Sequence, residues 1–283
     1  MVLRFKPEYG NARKTKLGEI IDKQSVAANQ EKKKVRSSMY ASDYGQCLKR
    51  CYFQFFPDEY PADSDIDART ARIFSNGDAV HERLGGYLKR EESLDFHDEV
   101  TVPRDDLDVH GRCDGILVLD GAALVVEFKS INKEEVIEPK PEHIGQLTFY
   151  LGMFRQLRRD LKEDFGFVED EQLDEDDLQT TSLSGRTFDT LSHVEKWLLL
   201  TQGEIRGELI YESKSTNEVF TFPVDFDQTR FDEIRNWFTQ LKWHVENKEI
   251  PNVKYYPSKF PCSWGRGKCN YFNHCYGTKC NKL

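Results

Sequence analysis

The stretch from His110 to Ser130 limits what this chain can fold into more than any other. Ile116–Leu119 and Ala123–Val126 are compact apolar runs, and Asp120-Gly121 between them is a strong hairpin signal. At the ends of these runs stand the ionisable residues Asp114, Glu127 and Lys129. Glu127 and Lys129 are two apart and share one face of a strand, so Phe128 points the other way, into the core. A turn centred on Asp120-Gly121 sets Asp114 across from Glu127. Two carboxylates converging beside a lysine form a site for a hard cation and a phosphate. A surface hairpin with ordinary charges gives the same pattern, so the rest of the chain must decide.

The chain has 283 residues, which allows one large domain or a core with attached elements. Apolar residues make up 38%, enough for a core. A net charge of -9 argues against general polyanion affinity, but the local potential of a cleft matters more than the total. Met1 to Lys34 is polar and lysine-rich with no apolar signal core, and no run is long enough for a bilayer. The expectation is a soluble, cytoplasmic protein with no membrane partner. Seven cysteines in that setting do not predict disulfides. Cys47, Cys51 and Cys113 are scattered, whereas Cys262, Cys269, Cys275 and Cys280 fall within the last 22 residues.

Residues 1–36 read as a flexible basic arm ending in Lys32-Lys33-Lys34 and Arg36. A helix from near Tyr44 carries Cys47 and Cys51. A longer one from about Arg69 spaces Ile73, Val80, Leu84 and Leu88 along one stripe, with His81 on or beside it. There His81 is either a core histidine or a metal ligand. His97 to Val102 reads as a strand. Glu142 to Lys162 reads as a strong helix, on which Gln146 and Tyr150, four apart, share one face and can look toward the carboxylates. Its later half carries Arg155, Arg158, Arg159 and Lys162, suited to the helix dipole or to phosphate contact. Residues 164–190 form an acidic insertion. A helix over Val194–Leu200, strands over Arg206–Tyr211 and Val219–Val224, and a helix over Phe231–Lys248 complete the core.

The C-terminal cysteines are separated by six, five and four residues, too widely for the close pairs of a zinc ribbon. Four soft ligands in a glycine-containing tail still point to a metal site, iron–sulfur or zinc, with His274 a further zinc ligand.

Taken in order, His81, Asp114, Glu127-Phe128-Lys129 and Gln146…Tyr150 resemble the motifs of the PD-(D/E)xK nuclease superfamily, specifically the Cas4/RecB-like exonucleases with an iron–sulfur cluster. The resemblance covers roughly residues 38–276, apart from the acidic insertion. It implies an α/β fold with a restriction-endonuclease-like core, a mixed central sheet flanked by helices, closed by a cysteine-ligated iron–sulfur domain. The implied organisation is an arm over 1–36, a nuclease core over 37–250 and a cluster-binding segment over 251–283. Cys47, Cys262, Cys269 and Cys275 match the family's ligands for a [4Fe-4S] cluster. The family's C-x2-C gap is widened here to six residues, which leaves Cys280 as a substitute ligand. His81, Asp114, Glu127 and the Phe128 carbonyl would hold Mn²⁺ or Mg²⁺, Lys129 would serve the water or the developing charge, and Gln146 and Tyr150 would position the strand or the lysine. The implied activity is metal-dependent exonuclease cleavage at DNA ends, with single strands favoured, in recombination, repair or processing, in a cell or a phage-infected host. A homo-oligomer is compatible with this. The alternatives are a non-catalytic DNA-binding adaptor of a recombination or CRISPR adaptation complex and a zinc-stabilised structural protein.

Overall fold

The computed structural model describes residues 16–31, 36–104, 106–119, 121–167, 173, 181–253, 259, 261–264 and 267–277. The lysine run at 32–34, most of the acidic run at 169–177, and Cys280 lie outside them.

A five-stranded mixed sheet organises the chain, with helices on both faces. In chain order the elements are α1 (Lys16–Glu31), β1 (Met39–Tyr40), α2 (Leu48–Phe53), α3 (Ala68–Leu88), β2 (His97–Thr101), β3 (Val109–His110), β4 (Arg112–Leu119), β5 (Ala122–Ile131) and α4 (Pro141–Asp164). They continue with α5 (His193–Leu200), β6 (Gln202–Ser213), β7 (Val219–Val224), α6 (Gln228–Glu246), β8 (Ser263–Trp264), β9 (Gly267–Lys268) and α7 (Phe272–Tyr276). The main sheet runs β2-β4-β5-β6-β7; β5 pairs with β6 in parallel, and the other pairs are antiparallel.

The apolar runs on β4 and β5 are continuous because both faces of the inner strands are covered. Ile116, Ala123 and Val125 join the main core with Leu147, Leu151 and Phe154 of α4 and with Phe238 of α6. Leu117, Val126 and Phe128 join a smaller core with Val80 and Leu84 of α3. Helix starts follow local chemistry: Asp67 caps α3 by accepting from the Thr70 amide, Pro141 opens α4, and Ser192 and Glu195 form a capping box on α5.

Two expectations change here. Lys16–Glu31, inside the stretch read as a flexible arm, is a helix that reaches α3 through the Asp22–Arg72 ion pair at 2.5 Å. The iron–sulfur closing domain is also overturned. Cys47, Cys262, Cys269 and Cys275 are near enough for their charges to affect one another. However, among the described residues no cysteine belongs to a group of three or more ligand atoms lying within 4.8 Å of one another. The Cys262 Sγ lies 3.1 Å from the Tyr276 hydroxyl, and all six described cysteines are free. The widened spacing around Cys262 instead folds as the short β8–β9 ribbon. His274, read as a zinc ligand, has its Nε2 2.7 Å from the Pro61 carbonyl and packs beside Phe53 and Tyr60.

The approach of α6 to α4 depends on a missing side chain. A Cβ on Gly152 would lie 2.2 Å from the Phe231 ring, whereas one on Gly86 of α3 would meet nothing within 4 Å. Gly152→Ala is expected to cost about 1–3 kcal/mol in urea denaturation, and Gly86→Ala to add about 0.5–1 kcal/mol.

Candidate active site

The two-residue connection between Leu119 and Ala122 fixes the β4–β5 register as Gly115 opposite Val126. The ladder ends there, and Asp114, the next residue of β4, meets β5 by accepting from the Phe128 amide. The two strands and α3 and α4 bring His81, Asp114, Glu127, Phe128, Lys129 and Gln146 to the lining of a cleft of about 1280 Å³, while Tyr150 of the sequence-predicted set stands behind Gln146.

Glu127 points to the α4 side, and its Oε1 accepts from Lys129 Nζ at 2.6 Å and from Gln146 Nε2 at 2.8 Å. Gln146 bridges further, accepting from Lys129 Nζ at 3.0 Å and donating to the Tyr150 hydroxyl at 2.7 Å. Tyr150 in turn donates to the Arg112 carbonyl at 3.3 Å. The spacing of Gln146 and Tyr150 by one helical turn therefore ties α4 to both strands. Asp114 looks to α3: its Oδ1 lies 2.9 Å from His81 Nδ1, and its Oδ2 accepts from the Phe128 amide at 2.6 Å. The Phe128 ring packs on the α3 side of the sheet.

Burial governs the electrostatics. Glu127 is 3% exposed, and its carboxyl is pushed up to about 7, with the Asp114 charge adding to the effect and Lys129 opposing it. Burial also lifts Tyr150, whose hydroxyl faces the Glu127 charge. At His81 burial works downward, but the hydrogen bond and charge of Asp114 outweigh it and hold the imidazole above its ordinary value. Glu127 Oε2 is buried and finds no hydrogen-bond partner among the described residues.

That orphaned oxygen is what the site offers a cation. Together with Asp114 it makes a hard oxygen donor set beside an imidazole, which fits a divalent ion of the Mg²⁺ or Mn²⁺ kind. The three side chains do not close into a set within 4.8 Å as they stand. Asp114 is held by His81 and Phe128, and one Glu127 oxygen by Lys129 and Gln146, so the protein's own donors occupy these ligands.

Sequence reasoning missed several residues around the cleft. Arg83 of α3 pairs with Glu212 of β6, a residue only 4% exposed, and Arg112 pairs with Glu99 at 2.5 Å. Neither pair has a spacing signal, because each joins residues distant in the chain or across a sheet edge. Glu99 also has φ +57°, which breaks the regular course of β2 beside the cleft. The α4 arginines, by contrast, work in the scaffold. Arg158 donates to the Gly203 and Thr201 carbonyls, Arg155 lies over the Phe226 ring, and Arg159 reaches Gln156.

No protein-family model and no curated protein matches the chain. Solved structures similar to it over most of its length include two of note. The protein SSO0001 covers 81% of this chain and 88% of its own, at 15% identity and a TM-score of 0.46. The alkaline exonuclease LHK-Exo from Laribacter hongkongensis covers 80% and 94%, at 10% identity and a TM-score of 0.40. Likeness at that level assigns no family, and the arrangement of Asp114, Glu127, Lys129, Gln146 and Tyr150 is the ground on which function is read.

Proposed function

We propose that the protein is a metal-dependent deoxyribonuclease that hydrolyses phosphodiester bonds at accessible DNA ends. The observation that carries this reading is the buried Glu127 carboxylate, with one oxygen held by Lys129 and Gln146, the other without a partner among the described residues, and the Asp114 charge acting on it. A buried acid is costly to ionise without a compensating cation. His81, Asp114, Glu127 and the Phe128 carbonyl would hold that cation. When bound, it would polarise the scissile phosphate and favour ionisation of the attacking water.

The chain's own groups supply the remaining steps. Lys129 Nζ lies within reach of both Glu127 and Gln146, so it presents a fixed positive charge to the attacking water or to the developing phosphorane charge. Gln146 holds that ammonium in place and is itself held by Tyr150. Asp114, fixed by the Phe128 amide and His81, keeps one carboxylate on the α3 side of the phosphate. Arg83, Lys89, Arg90 and Arg112 line the same cleft and can meet the backbone of a nucleic-acid strand.

The direct test is digestion of end-labelled single- and double-stranded DNA with Mg²⁺ or Mn²⁺. Wild type is expected to shorten labelled DNA from its ends, and Asp114→Asn to stop at background while melting as a folded protein. DNA retention without cleavage by wild type would favour the adaptor reading. Equal turnover by wild type and Asp114→Asn would reject this site.

A further inference from the structure

The start of β2 and the start of α5 bring three metal-capable side chains together outside the nuclease site. Asp95 lies two residues before the start of the strand, His97 opens it, and His193 opens the helix. One ligand atom from each lies within 4.8 Å of the other two, and among the described residues this is the group that meets that spacing. The rings of His97 and His193 stack with centroids 3.6 Å apart and planes inclined by 41°. Asp95 Oδ1 lies 2.8 Å from His97 Nε2 and so sets the orientation of that ring.

We propose that Asp95, His97 and His193 bind a divalent transition-metal ion of the zinc class, and that the bound ion fastens the N-terminus of α5 to the edge strand β2. Two imidazoles with one carboxylate suit zinc, cobalt or nickel far better than magnesium. Asp95 and His193 are exposed, so the side chains can close the last distance to ligand range by rotation, and a fourth position remains for water. The neighbouring charges are mixed: the Lys196 charge bears unfavourably on a cation at His193, and the Asp95 charge bears favourably. Lys196, one turn along α5, has its ammonium over the Phe188 ring at 5.1 Å, and Asp189 adds a negative charge to the same depression. The inference does not depend on the nuclease reading, because none of the three residues belongs to that site.

The test is equilibrium dialysis of the full chain against Zn²⁺, and against Co²⁺ with absorption spectra, comparing wild type with the double variant His97→Gln/His193→Gln. Wild type is expected to bind one equivalent more than the double variant. It should show cobalt bands from nitrogen and oxygen donors that the variant lacks, while any thiolate-to-cobalt absorption from the cysteines stays the same in both. Asp95→Asn, which keeps both rings, is expected to weaken Zn²⁺ binding by roughly 10- to 100-fold. Zn²⁺ should raise the melting temperature of wild type more than that of the double variant. If the double variant proves unfolded in EDTA, the single variants His193→Gln and Asp95→Asn carry the comparison. Stoichiometry and affinity unchanged from wild type in the folded variants would overturn the proposal.

Discussion

Replacing Lys129 with methionine is expected to lower metal-supported hydrolysis of end-labelled DNA by roughly 10²- to 10⁴-fold. Methionine keeps most of the length and the apolar stem but removes the ammonium that Glu127 and Gln146 hold at 2.6 and 3.0 Å. Two losses coincide. The charge offered to the transition state disappears, and Glu127 loses the cation that opposes the effect of burial, so its carboxyl rises further. The residual activity should therefore move to higher pH, where Glu127 ionises without help. Lys129→Arg keeps the charge with a different shape and should fall between the two. The measurement is a pH–rate profile for each variant, with melting temperatures alongside to show folding. A methionine variant as fast as wild type would remove Lys129 from the chemistry.

The second large effect concerns stability in the absence of metal. Burial pushes the Glu127 carboxyl up to about 7 in the folded protein, against its ordinary 4.5 in the unfolded chain. A carboxyl raised by folding gives stability that is fully present below pH 4.5 and is lost as pH climbs through about 7. Glu127→Gln cannot ionise and does not follow that loss. In chelated buffer the stability of this variant relative to wild type should therefore improve by roughly 3 kcal/mol between the two ends of that window, whatever the constant offset between the proteins. Comparing the pair isolates Glu127 from His143. Burial depresses His143 to about 3, with the charges of Lys129 and Lys140 adding to the effect, so it contributes stability above pH 6.5 that is lost on acidification. Parallel pH curves for the two proteins would show that the Glu127 carboxyl is not raised. Adding Mg²⁺ should stabilise wild type at pH 8 more than the glutamine variant.

Much of this arrangement is legible in the sequence because local rules set it. A short connection ending in glycine suits the strand register, and that register brings Asp114 to the Glu127–Phe128 stretch of β5, where it accepts from the Phe128 amide. One turn of helix suffices to align Gln146 with Tyr150. Long periodic stripes give α3, α4 and α6 their extents to within a few residues. What could not be read depends on distance along the chain. The Arg83–Glu212 pair and the Asp95, His97 and His193 group join segments with no common spacing, so nothing in either segment announces the other. Lys16–Glu31 is too polar to predict its own folding, and its helix rests on α3. The cysteines show the opposite error. Soft ligands crowded near one terminus suggest a cluster, but composition does not place sulfur atoms around an ion.

The two edges of the sheet bear on how the protein behaves in concentrated solution. On β2 the left-handed backbone at Glu99 interrupts the row of amides and carbonyls, and His97, Asp98 and Glu99 crowd that row with polar side chains. On β7, Pro223 lacks the amide a neighbouring strand would need. Both rims carry features that disfavour pairing with a strand from another molecule, so growth of the sheet from chain to chain is discouraged at both ends. The edge strands, which another molecule would meet first, each carry an interruption to continuous pairing with it.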